Sequence, residues 1–441
     1  MVTVIIVTAG PAGAHAYVVV SEPADGALLD ATPHRVHFRF SEHINLKYAS
    51  VTVHDLTGRP VRVGPLHHDG PVLTTLTGEL GTIAPGSYTV LWRVVGTDEH
   101  VVYGATSFAL VGAGAGVPAA LGRAASVPAT SPAGVAGLLT ASRALVFLAL
   151  AALVGGGVFL TLVWPAGAAT RHGRLLLSAG VVLAGAGTIV GAGLEQTAIT
   201  GQHLPAAALP STLVDATSTH FGWVAIVRLG LLVLAGVLLV DVASGVARSR
   251  WWRAGAVAVS LGLVHTTVQV GHAAEATGLR SIAYLVHVAA VTAWIGGVLA
   301  LVFVVLPQRA TVGELRAVVL RFSRVASVAL ALVVGTGIVL ATPVIELWRH
   351  VPGSDYGRIF VVKLAVLSVG LLVANRARQW AHHDRAATSP PNDRRPARTL
   401  QTEAVLLATV IGVTAMLAGR PPIRPSRFST SPGESVASST R

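Results

Sequence analysis

Two hydrophobic periodicities divide the chain. Up to about residue 111 apolar positions alternate with polar ones: Val36, Phe38 and Phe40 share one strand face, Val51 and Val53 a second, and Tyr88, Val90, Trp92 and Val94 a third. Turn residues separate them at Asp25-Gly26, Thr57-Gly58, Asp69-Gly70 and Pro85-Gly86. Short strands at this spacing predict a two-sheet β-sandwich over 15–111. Residues 112–138 turn to Gly, Ala, Pro and Ser around a lone Arg123, which reads as a linker. Beyond it the pattern is long and unbroken. About eight apolar runs, at 144–164, 175–194, 224–242, 254–272, 282–306, 325–342, 359–375 and 404–418, predict an all-α polytopic membrane domain over 139–419. The Pro/Ser-rich tail at 420–441 reads as disordered.

Composition agrees, with 52% hydrophobic and only 12% charged residues in 441. A formal charge of +12 raises nucleic acid as a partner, but the arginines fall in short gaps between apolar runs rather than on a soluble face, which excludes it. They also alternate. Arg171, Arg174, Arg248, Arg250, Arg253, Arg309, Arg316, Arg321, Arg324, Arg376, Arg378, Arg385, Arg394, Arg395 and Arg398 lie in one set of connections, against Arg280, Arg349 and Arg358 in the other. The rich set is predicted cytoplasmic, which puts the β-domain outside a multi-pass cell-membrane protein. An apolar run at 2–9 and Ala12-Gly13-Ala14 predict a signal peptide over 1–14, without the usual basic start, and make His15 the first mature residue.

The chain has no cysteine, and Met416 is its one methionine besides Met1. Thiolate and thioether chemistry is thereby excluded, and any metal must rest on carboxylates and the 17 histidines. An N-terminal His15 offers an α-amine and an imidazole to one ion. In Asp98-Glu99-His100, period two sends Asp98 and His100 to the same side. Such nitrogen and oxygen donors suit Cu(II). His67-His68-Asp69, beside a turn, reads as a solvated loop. In the helical half, His265, Gln269 and His272 share a helix face, as do His287 and Trp294 on the next, and Glu195, His220 and Arg228 lie toward the same outer side.

Several stretches carry a resemblance. His15-Ala16, the segment from Ser21-Glu22-Pro23 to Ala27, Phe38-Arg39-Phe40-Ser41-Glu42, the strand from Tyr88 to Val94, and Thr97-Asp98-Glu99-His100 with Gly104 and Phe108 resemble the CopC copper resistance family. That resemblance implies an immunoglobulin-like Greek-key sandwich with a Cu(II) site of His15, Asp98 and His100. Glu99 departs from the family's glycine between the ligands, and the methionine-rich Cu(I) site of some relatives has no counterpart. Val270-Gly271-His272-Ala273, the run from His287 through Trp294-Ile295-Gly296-Gly297, and Tyr356-Gly357-Arg358 to Lys363 and Asn375-Arg376 resemble the CopD family. The order on one chain is similar to fused copper-handling proteins of the YcnJ type. It implies that Cu(II) is captured outside and passed to a membrane path, with His272, His287, His265 and Glu195 as candidate positions, for copper import and homeostasis.

The implied partners are the copper ion, the lipid bilayer and extracytoplasmic copper donors or acceptors. No catalytic residues are assigned, and the chain is read as a non-enzyme. The alternatives are a b-type haem protein with His272 and His287 as axial ligands, sequestration for resistance without transport, and oxidative catalysis at the terminal histidine. No phosphate-binding loop for ATP-driven pumping is apparent.

Overall fold

The computed structural model describes residues 16–96, 101–111, 134–244, 249–270, 276, 278–308 and 312–345, with 368, 375 and 379 as single positions. The alternating region forms strands β1 (Val18–Glu22), β2 (Ala27–Leu29), β3 (Arg35–Phe40), β4 (Ser50–Asp55), β5 (Pro60–Val61), β6 (His67–Asp69), β7 (Val72–Glu79), β8 (Gly86–Val95) and β9 (Val101–Leu110). They make two sheets, ordered β1-β3-β7-β6 and β2-β9-β8-β4-β5. Each face marked by the alternation is the buried one: Val36, Phe38 and Phe40 of β3 meet Val51, Val53, Tyr88, Val90, Trp92 and Val94 across the layers. Aromatic rings dominate this core. Phe40 meets Trp92 edge-on at 5.3 Å between ring centroids, and Tyr88 stacks on Phe108 at 5.3 Å.

Pairing of β8 with β9 runs unbroken from Gly86↔Leu110 to Val95↔Val101. Gly104 faces Trp92 in this ladder, and a Cβ there would lie 2.0 Å from the indole, so the ring needs a glycine beneath it. At the opposite end of the sandwich Gly58 turns the chain with φ 81°. The segment 67–69 differs from the solvated loop expected. It is strand β6, because Asp69 has partners inside the sheet: Thr77 donates to its carboxylate at 3.0 Å and the ring of His37 lies 3.1 Å away.

The apolar runs form helices α1 (Val135–Leu150), α2 (Gly156–Leu162), α3 (Arg171–Thr200), α4 (Pro210–Ala216), α5 (His220–Ser244), α6 (Arg250–Val268), α7 (Leu279–Ala300) and α8 (Val312–Ile345). A π-helical segment, Ala151–Gly155, joins α1 to α2, and another, Leu301–Val305, extends α7. Five stretches among the described residues are long and apolar enough to cross a membrane: Val135–Leu162, Arg171–Thr200, His220–Val240, Leu279–Gln308 and Gly313–Leu340. The expected count was eight. The first six runs each fall on a helix, but α6, which opens on Arg250-Trp251-Trp252-Arg253 and carries His265, is long enough yet not apolar enough to be among the five. The runs at 359–375 and 404–418 lie outside the described residues apart from 368 and 375.

Long helices pack against their neighbours antiparallel. Arg143 in the middle of α1 meets Glu195 near the end of α3, Arg228 of α5 meets Thr266 of α6, and His287 of α7 meets Thr336 of α8. Bulk is absent where backbones approach. A Cβ on Gly296 would lie 2.0 Å from the carbonyl oxygen of Ala151 and 2.5 Å from Cα of Gly155, while one on Gly297 would strike the ring of Phe322 at 2.1 Å. The Trp294-Ile295-Gly296-Gly297 stretch is therefore a close-packing device, with Trp294 buried beside it.

Candidate metal centre

His15, Asp98 and His100 lie outside the described residues, as does His272. The residues flanking the first three are described, and they come to one end of the sandwich. Ala16 is fully buried in the same core cluster as Ile44. The amide of Tyr17 donates to Ser41 Oγ at 3.1 Å, and the amide of Ser41 returns a bond to the carbonyl of Tyr17 at 2.9 Å. Ile44 in turn bridges to Gly96, and the amide of Asn45 donates to the carbonyl of Val95 at 2.9 Å. Beyond Gly96 the ladder resumes at Val101 opposite Val95. Segment 40–45 thus fastens the chain beside residue 15 and both flanks of 97–100 to a common edge.

The helical residues can be read at atomic detail. His287 Nδ1 lies 2.9 Å from Thr336 Oγ1, and that hydroxyl gives its own proton to the carbonyl of Leu332 at 2.5 Å. With the hydroxyl donating to Leu332, its oxygen accepts from the ring in the tautomer that carries the hydrogen on Nδ1. A histidine that binds a metal through Nε2 is held in this tautomer by such a partner. His265 Nε2 lies 2.9 Å from the Gln269 side-chain nitrogen, which donates to it, and His220 Nε2 lies 3.1 Å from the Gln269 carbonyl oxygen. One residue, Gln269, therefore ties two histidines together at the ends of α5 and α6.

Glu195, Arg143 and Arg228 all have polar partners inside the bundle. Glu195 holds Arg143 at 3.0 Å, with both side chains largely buried. Arg228 donates through Nε to Thr266 Oγ1 at 2.9 Å and through Nη2 to the Thr266 carbonyl at 2.8 Å. Of the membrane-path candidates, Glu195 is thus engaged by an arginine, His265 by Gln269 and His287 by Thr336. No group of three or more His, Asp or Glu suited to a metal is gathered among the described residues. The roles of Thr336 and Arg143 were invisible in the sequence, because a threonine or arginine in an apolar run does not announce which facing helix it meets.

Comparison with known proteins bears on both halves. Residues 18–111 match the family model of the CopC domain, and residues 316–417 match that of copper resistance protein D, CopD. The copper transport protein CutJ of Bacillus subtilis (strain 168) is 24% identical over 367 residues, covering 79% of this chain and 65% of that protein. The chain thus spans about two thirds of that relative's length. Similar solved structures include CopC from Methylosinus trichosporium OB3b, with 27% identity, 24% of this chain and 100% of that one covered, and a TM-score of 0.22. PcoC, a methionine-rich copper resistance protein from Escherichia coli, aligns at 22% identity over 22% of this chain and 99% of that one, with a TM-score of 0.20.

Proposed function

We propose, for a chain that carries a CopC domain and a CopD domain together, that the sandwich captures Cu(II) outside the cell and passes it to the helical domain for copper import and homeostasis. The site proposed is His15, with its α-amine, together with Asp98 and His100. The observation that carries this reading is the convergence of Ala16, Gly96 and Val101 on one edge of the sandwich, tied through Ser41, Ile44 and Asn45. The donor set fits the ion, because a chain without cysteine and with no methionine in this domain offers copper only nitrogen and oxygen.

The membrane path proposed runs through His272, His287, His265 and Glu195. Support comes from the Thr336 hydroxyl 2.9 Å from Nδ1 of His287, the kind of partner that orients a ligating imidazole. The orientation proposed follows from charge. Arg171 and Arg174 lie in the first turn of α3, Arg250 and Arg253 in that of α6, and Arg316 and Arg321 within the first three turns of α8, at the end of the bundle opposite His220 and Gln269.

Cu(II) titration of the intact protein, followed by electron paramagnetic resonance, tests the site. One tight equivalent with nitrogen hyperfine structure is expected, lost in His100→Ala and in a chain whose mature start is not His15. Tight binding unchanged in both would sink it. Copper accumulation in cells with and without the gene tests direction: lower accumulation without it is expected for import. The same tautomer of His287 suits an axial haem ligand, and a Soret band in the purified protein would replace the copper path by haem.

A further inference from the structure

Among the described residues, the sandwich touches the helical domain at the end of α3. Arg93 of β8 reaches out of the sandwich. Its Nη1 donates to the Tyr48 carbonyl at 2.8 Å within the domain, whereas Nη2 donates to the Ala198 carbonyl at 3.3 Å and to the Ile199 carbonyl, both in the last turn of α3. The last carbonyls of a helix have no partner within it and carry the negative end of its dipole, which is where a guanidinium is most favourable. Gly201, in a left-handed conformation with φ 71°, ends α3 by donating to the Thr197 carbonyl and leaves the next two carbonyls to Arg93. Beside this polar latch Tyr48, Val95 and Ile199 form a small buried apolar cluster, with Val101 packed against it.

Val95 and Val101 are the last described ladder pair before residues 97–100. The latch therefore presses the proposed copper edge, rather than the opposite end with its Gly58 turn, toward the helices. We infer that the sandwich works docked on the end of α3, with Arg93 as a positioning residue that holds the proposed copper edge toward the helical domain. This deepens the capture-and-pass reading and rests on it for its purpose, but the docking itself can be measured without copper.

The natural absence of cysteine makes the test direct. The full chain in lipid nanodiscs, copper-free, receives either Val101→Cys with Ile199→Cys or, as control, Leu56→Cys with Ile199→Cys, and is treated with a short bismaleimide. Leu56 lies exposed in the turn between β4 and β5, at the far end of the sandwich. A held contact should crosslink about tenfold or more faster than a domain sampling at millimolar effective concentration. Adding Arg93→Ala should reduce the first rate severalfold toward the control, with the one Cu(II) equivalent retained as evidence that the sandwich is folded. Equal rates for the two pairs, or a rate unmoved by Arg93→Ala, would overturn docking. Loss of copper binding in the parent chain with crosslinking intact would instead overturn the capture reading alone.

Discussion

The sandwich and the helical bundle solve the same packing problem with opposite materials. In the sandwich, volume fills the core: Phe38, Phe40, Tyr88, Trp92 and Phe108 interlock between sheets held at a fixed spacing. In the bundle, absence of volume does the work, because lipid gives apolar side chains no reason to prefer a neighbouring helix, and close backbone contact must supply the attraction. Gly155, Gly180, Gly187, Gly193 and Gly296 all sit where a Cβ would lie under 3.0 Å from another segment. Added atoms are thus the commoner threat in the bundle and removed atoms in the sandwich, where Gly104 beneath Trp92 is the tight glycine.

The sharpest break of this contrast is Gly296→Val. Its obstacle is backbone of the π segment, which has no rotamer to yield, so a loss of more than about 4 kcal/mol is expected. Failure to recover monodisperse protein in mild detergent would register it, whereas recovery at parental yield would show that α7 does not rest on that segment. Next comes the converse change in the sandwich. Phe38→Ala leaves a cavity at a fully buried ring and should cost about 3–5 kcal/mol, read as a lowered denaturant midpoint by tryptophan fluorescence.

A smaller effect separates polar design from packing. Thr336→Val keeps the shape but removes the oxygen that accepts from His287, a bond worth about 1 kcal/mol. Nitrogen NMR of labelled histidine should show the ring losing its single tautomer, and Thr336→Ser should restore it. Smallest is Asp55, exposed at the β4–β5 turn. The Thr57 hydroxyl, followed by the amides of Arg59 and Thr57, holds its carboxyl below the usual carboxylate range. Its contribution is therefore present above the unfolded pKa, near 4, and is lost as pH falls through the lower folded value. Asp55→Asn should melt slightly below the parent at pH 7, and the gap should close at strongly acid pH.

How much could be read in advance also divides along this line. Strand alternation is local, so the faces of β3, β4 and β8 were legible from a few residues each, and so were the apolar runs. The partners of Asp69 were not, because β6 is only three residues long and His37 stands 32 positions away. In the helical half, sequence places His287 and Glu195 on helices but cannot say that Thr336 and Arg143 face them, since that depends on how neighbouring helices rotate. Trp294-Ile295-Gly296-Gly297 was legible as a motif, yet its glycines proved to be sites of contact with the Ala151–Gly155 segment and with Phe322.

The two π segments give the bundle a numerical property. A five-residue turn accommodates one residue more than the α-helix would hold over the same rise, and each residue rotates the helix beyond it by about 100°. Deleting a single residue within Ala151–Gly155 should restore plain helix and leave α2 in phase with α7, whereas the same deletion a few positions earlier, in α1, would turn Ser142 away from the carbonyl of Gly187 that it now reaches at 2.9 Å. A change of length at the first of these wide turns is therefore a change of helical phase made at the expense of the backbone contact of Ala151 and Gly155 with Gly296.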